Sequence, residues 1–159
     1  ANHVFSTAGY GVGCDLIKIT KNGDKFEATK AYSNKNMVNH HGGVVLYEGH
    51  LYGHSDGKGW VCMDFLKGDI KWEAEGQGKP GKGALTCAAG HLFCLDERTG
   101  ALHVSEASPK AWKETGKFAL PRQSKIRSGR GAIWTHPVIA NGKLYLRDQD
   151  LLFCFDVKK

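Results

Sequence analysis

Short apolar runs alternate with glycine- and aspartate-bearing turns along almost the whole chain. The clearest group begins with Gly43-Val44-Val45-Leu46-Tyr47, which stops at Glu48-Gly49. His50 to His54 follows and stops at Ser55-Asp56-Gly57-Lys58-Gly59. Trp60 to Phe65 comes next, closed by Lys67-Gly68-Asp69, and Ile70-Lys71-Trp72-Glu73 ends the group. Runs this short, with glycine between them, read as strands joined by hairpins. Four strands, A to D, are therefore predicted here. The next group repeats them as Leu85–Gly90, His91–Asp96, Ala101–Glu106 and Gly116–Leu120. The flanking groups are incomplete. The first offers B, C and D (His3–Thr7, Cys14–Thr20, Phe26–Tyr32), and the last A, B and C (Pro137–Asn141, Lys143–Arg147, Leu151–Asp156).

One phrase marks the groups as copies. It is Gly49-His50-Leu51-Tyr52, Gly90-His91-Leu92-Phe93 and Gly142-Lys143-Leu144-Tyr145, with His3-Val4-Phe5 as a cousin near the start. Self-similarity at roughly 40–50 residues, with four short strands per period, is the signature of a β-propeller. The expected fold is all-β, a propeller of four-stranded antiparallel blades, of which this chain holds about three and a half. Its expected units are 1–35, 36–78, 79–120 and 132–159, with a basic insertion over 108–131. Three and a half blades cannot close a ring, and open strand edges invite pairing. The chain is thus expected to be the C-terminal part of a longer propeller, or half of a two-chain ring. In the second case fourteen strands doubled would suffice for seven four-stranded blades.

Asp64-x-x-x-Gly68-x-x-x-Trp72 carries a more particular likeness: strand C ends in Asp, a turn glycine follows, and Trp sits on strand D. Asp156 ends the last C strand in the same way. The third group departs from the pattern, with Glu106 in place of Asp and Trp112 after Ser108-Pro109. Over most of its length the chain resembles the pyrroloquinoline-quinone-like (quinoprotein-like) propellers of bacteria, including planctomycete proteins and the outer-membrane assembly lipoprotein. The resemblance implies a periplasmic or extracellular location and a structural role for Asp64, Gly68, Trp72 and Asp156. It implies no cofactor, since many members of that superfamily bind no quinone. The alternative it raises is a portion of an alcohol or sugar dehydrogenase that uses pyrroloquinoline quinone with calcium. Asp56, Asp148 and Asp150 would be the oxygen donors to weigh there, but the adjacent cysteine pair of such enzymes is missing. A large ring on an outer strand also has a role of its own, because it can pack between neighbouring sheets.

Composition adds little to this picture. Twenty-two basic residues against sixteen acidic give a formal charge of +6, which permits an anionic partner without requiring one. No apolar run is long enough to span a membrane. The opening Ala1-Asn2-His3-Val4-Phe5 has neither the basic flank nor the apolar stretch of a signal peptide. The five cysteines form no CxxC pair and read as small apolar strand residues.

Candidate chemistry lies in the loops. In an antiparallel meander the B-to-C turns and the D-to-A connections share one end, so their residues form a single rim. That rim gathers Asn39-His40-His41, Lys82, Arg127, Arg130, Trp134 and His136 as candidates for contact with a ligand or partner. Adjacent residues of an extended segment point to opposite sides, so His40 and His41 are not expected to share a metal, and no metal site is expected. Arg127 and Arg130 could clamp a carboxylate or phosphate. The glycine-rich loop around Lys82 lacks the pattern of a phosphate-binding P-loop. The basic insertion lacks the interleaved aromatics of a nucleic-acid platform. No catalytic constellation stands out. The expected function is a non-catalytic binding or assembly module, with a protein partner or second copy at the open edges and a small anionic ligand on the rim.

Overall fold

The computed structural model describes residues 2–76 and 78–158, so Ala1, the first residue of the opening segment, lies outside them. The chain is all-β, and no helix occurs among the described residues. Fourteen strands follow one another: β1 (His3–Ala8), β2 (Gly13–Asn22), β3 (Lys25–Asn34), β4 (Val44–Tyr47), β5 (His50–Ser55), β6 (Gly59–Asp64), β7 (Ile70–Ala74), β8 (Gly83–Ala88), β9 (His91–Asp96), β10 (Ala101–Glu106), β11 (Glu114–Ala119), β12 (Val138–Ala140), β13 (Lys143–Asp148) and β14 (Leu151–Asp156). They pair only with chain neighbours, as four antiparallel sheets: β1-β2-β3, β4-β5-β6-β7, β8-β9-β10-β11 and β12-β13-β14.

Turn chemistry explains where strands stop. Glu48-Gly49, Ala89-Gly90 and Asn141-Gly142 each place two successive residues at positive φ, the two-residue hairpin geometry that follows the twist of the flanking strands. The third A strand therefore ends at Ala88, with Ala89-Gly90 in the turn rather than in the strand. Asp64 shapes a second kind of turn: its Oδ1 accepts from the amides of Leu66 and Lys67, and Gly68 N–H closes on Asp64 O at 2.9 Å. Asp96 repeats the device with the amides of Arg98 and Thr99 and with Gly100. These backbone bonds hold the Asp64 carboxyl below its ordinary range.

The sheets stack face to face in chain order, with a core at each junction. Leu16, Met37, Leu51, Val61 and Met63 fill the first, between sheets one and two. Tyr52, Trp60, Cys62, Leu85, Leu92 and Cys94 fill the second. Leu95, Leu102, Ile133, Leu144 and Leu146 fill the third. Alternation makes this possible: β6 sends Val61 and Met63 one way and Trp60 and Cys62 the other. Polar bonds stitch the outer strands. Tyr32 donates its hydroxyl to Phe65 O at 3.0 Å, and Trp72 donates its indole N–H to Ser108 O at 2.8 Å. Trp72 also meets Trp112 edge-on, with ring centroids 6.1 Å apart.

The innermost strands approach one another, β8 touching β4 and β5 on one side and β12 on the other. Contact at this inner edge is backbone on backbone. Leu85 N–H donates to Gly42 O at 3.2 Å, and a Cβ on Gly42 would collide with Gly83 O. Glycine is obligatory there for lack of room.

All five cysteines are free. Cys14, Cys62 and Cys94 are buried, and desolvation pushes the Cys62 thiol up to about 11.

Candidate ligand-binding cleft

Three connections between sheets and two turns within them converge at one end of the stack. Residues 35–43 bring His40 and His41, residues 78–82 bring Lys82, and the long segment 120–137 brings Arg130 and Trp134. The β9–β10 turn adds Glu97 and Arg98, and the β5–β6 turn adds Asp56 behind Lys82. Together His40, His41, Lys82, Glu97, Arg98, Arg130 and Trp134 line a cleft of about 570 Å³.

The floor is a histidine and a carboxylate. His41 Nε2 lies 3.3 Å from Glu97 Oε2, with the two side chains 28% and 11% exposed. Burial pushes the Glu97 carboxyl above its ordinary value. The same burial, helped by the neighbouring His40 and Lys82, pushes the His41 imidazole below its own. Both shifts favour uncharged forms, so the pair holds its charge weakly. Among the described residues Glu97 Oε2 and His41 Nδ1 are buried without a hydrogen-bond partner.

One wall is a polar chain. Lys82 Nζ donates to Asp56 Oδ1 at 2.7 Å and to His40 Nδ1 at 3.1 Å, and His40 Nε2–H donates to the Tyr10 oxygen at 2.8 Å. The opposite wall is Trp134, 51% exposed, its ring centroid 5.5 Å from that of His41. Arg98 and Arg130 stand at the mouth, and neither forms an ion pair among the described residues.

Five of the eight candidate residues thus line one cleft: His40, His41, Lys82, Arg130 and Trp134. His136 stands behind them, donating from Nε2 to His41 O at 3.3 Å and packing on Gly43. Asn39 is an internal clamp, buried, donating to His54 O and accepting from Gly43 N–H. Arg127 is not available as a ligand clamp. Its guanidinium is ion-paired with Asp148, which is fully buried, and it also donates to Gln123.

The expectation that His40 and His41 diverge does not hold. Their rings lie 4.5 Å apart on the same cleft, because residues 40–42 bend toward Gly43, which sits at positive φ, instead of running extended. Among the described residues no group of three or more histidine, cysteine or acidic side chains could hold a metal ion. The oxygen donors weighed for calcium are dispersed and engaged: Asp56 with Lys82, Asp148 with Arg127, and Asp150 with the Ser124 hydroxyl at 2.6 Å.

Glu97 is the residue that sequence reasoning passed over. In sequence it is one acidic residue in a turn beside Arg98, and only the fold of residues 35–43 over it makes it a cleft floor.

No protein-family model matches the chain, and no curated protein matches it. No helix among the described residues is long and apolar enough to cross a membrane.

Proposed function

We propose that the chain is a portion of a β-propeller of the quinoprotein-like kind, working as a non-catalytic binding module with the Glu97–Trp134 cleft as its ligand site. The observation that carries this reading is the convergence of four loop segments on one cleft, with the β5–β6 turn behind Lys82. It holds a buried carboxylate whose one charged contact among the described residues is His41, two cations without ion pairs among those residues, and a half-exposed indole ring. Ligand sites have this character: a few polar groups in a concave, otherwise finished surface.

The propeller reading is supported by meandering antiparallel sheets stacked in chain order, with the first strands of the last three, β4, β8 and β12, gathered along one edge. It is also supported by the outer faces of the two end sheets, where Val4, Phe26, Val138 and Leu152 are more than half exposed. Such faces suit further sheets beside them. If a second copy supplied those, the pair would present eight sheets, since each copy already forms four; seven blades would require end sheets to fuse. The extracytoplasmic location belongs to the same proposal and rests on the resemblance alone.

Ligand-observed NMR on the 159-residue chain tests the site. The probes are D-glucose, D-glucuronate, glucose 6-phosphate, adenosine monophosphate and glycylglycine. At least one should show saturation transfer that Trp134→Ala removes and that Leu152→Ser, on the remote outer face, retains. Silence from all probes, or signals indifferent to Trp134, would end the reading.

A further inference from the structure

The geometry points to a particular ligand chemistry for this cleft: a sugar ring bearing a carboxylate or a phosphate. The inference rests on the cleft being the ligand site, and its grounds are three separate features of the walls.

The first is Glu97. A desolvated carboxylate without a hydrogen-bond donor is costly, and a ligand that brings a donor relieves it. A ligand ammonium would serve the carboxylate but would also meet Lys82, Arg98 and Arg130, which line the same cleft. A hydroxyl supplies the donor without that repulsion.

The second is the balance of charge at the mouth. Lys82 is neutralised by Asp56, whereas Arg98 and Arg130 have no ion-pair partner among the described residues. Paired guanidinium groups suit a carboxylate or phosphate, which each can grip through two parallel N–H bonds.

The third is Trp134. Its ring is half exposed and walls the cleft beside His41, a flat apolar surface within reach of groups held on the floor. The C–H face of a sugar offers a flat apolar patch with hydroxyls at its edge, which places donors and apolar contact on adjoining sides of one small molecule. The cleft, at about 570 Å³, falls within the usual size range for small-molecule sites.

Isothermal titration of the 159-residue chain tests this with D-glucuronate, glucose 6-phosphate, D-glucose, inorganic phosphate and glycylglycine. Glucuronate or glucose 6-phosphate should bind at least tenfold more tightly than glucose or phosphate alone, and whichever binds better identifies the source of the anionic group. Arg130→Gln should abolish that tenfold preference. Glu97→Gln, which keeps the side chain's shape, should weaken glucose and the acidic sugars alike by about tenfold, with the circular dichroism spectrum retained. Acidic sugars that bind no better than glucose, or a preference that survives Arg130→Gln, would overturn the assignment. Trp134-dependent binding of glycylglycine, with the sugars silent, would refute this ligand class and leave the cleft standing as a site. Silence from every probe would remove both.

Discussion

The strands β6 and β14 are built from similar residues and meet different fates. β6 runs Gly59-Trp60-Val61-Cys62-Met63-Asp64 and is buried on both faces, in the second sheet with a neighbour on each side. β14 runs Leu151-Leu152-Phe153-Cys154-Phe155-Asp156, at least as apolar, yet every second residue is exposed, Leu152 at 68%. The contrast teaches that apolarity on both faces describes how a strand is written, whereas burial depends on whether a sheet stands on each side. An apolar run without strict alternation suits a strand covered twice. β14 carries such a run with one face uncovered in this structure, which is why the propeller proposal places another sheet there.

The sharpest way to break the comparison is to cut into the doubly covered strand. Trp60 is 1% exposed, and its indole N–H donates to Pro80 O and Gly81 O, both at 3.1 Å. Trp60→Ala should cost about 3–5 kcal/mol in urea unfolding. A loss under about 1 kcal/mol would mean that the second junction is not the tight core described above.

Next in size is the most deeply buried ion pair among the described residues, in the otherwise half-covered end sheet. Asp148→Ala strands the Arg127 guanidinium, and removing one partner of such a pair costs about 3–5 kcal/mol. Equilibrium unfolding should give a loss near the lower end, since Arg127 keeps its bond to Gln123 and 14% side-chain exposure. A neutral result would mean that the insertion is not anchored through this pair.

Acid should act through the middle sheets. Burial drives the His54 imidazole down to about 4, against an ordinary 6.5. Between those values the unfolded chain binds the proton and the folded chain does not, so stability is full above pH 6.5 and falls as pH drops toward 4. The shift corresponds to about 3 kcal/mol. Urea midpoints measured from pH 7 to pH 4 should decline in wild type and flatten in His54→Gln; equal slopes would clear His54 of the effect.

The smallest effect sharpens the comparison most. Leu152→Ser should change stability by less than about 0.5 kcal/mol if the outer face of β14 meets only water. A loss above about 2 kcal/mol, or a concentration-dependent midpoint, would reveal that something covers that face in solution.

What could be read from the chain beforehand follows the same division between local and remote causes. The strands were legible because turn residues and alternation are local: Glu48-Gly49, Asn141-Gly142 and the Asp64 turn announce themselves. The rim was legible by topology, which puts B-to-C turns and sheet connections at one end. The roles within it were not. Arg127 and Arg130 sit three residues apart in one glycine- and serine-rich stretch, and nothing nearby says that Asp148 will engage the first and leave the second at the cleft. Glu97 looked like any turn acid, because its burial comes from a segment more than fifty residues earlier in the chain. The divergence of His40 and His41 failed on an assumption of extended backbone that Gly42-Gly43 does not honour.

The hydrogen atoms of Gly42, set against Gly83 O, act as the spacer between the middle sheets. Nothing slimmer exists in the amino-acid alphabet, so this seam stands at its narrowest setting. The His41–Glu97 floor of the cleft, built from the residue before Gly42 and the turn after β9, is gauged from it. Any methyl added at position 42 would prise the seam apart and strain Leu85's grip across it, retuning the mouth of the cleft without altering one residue that lines it.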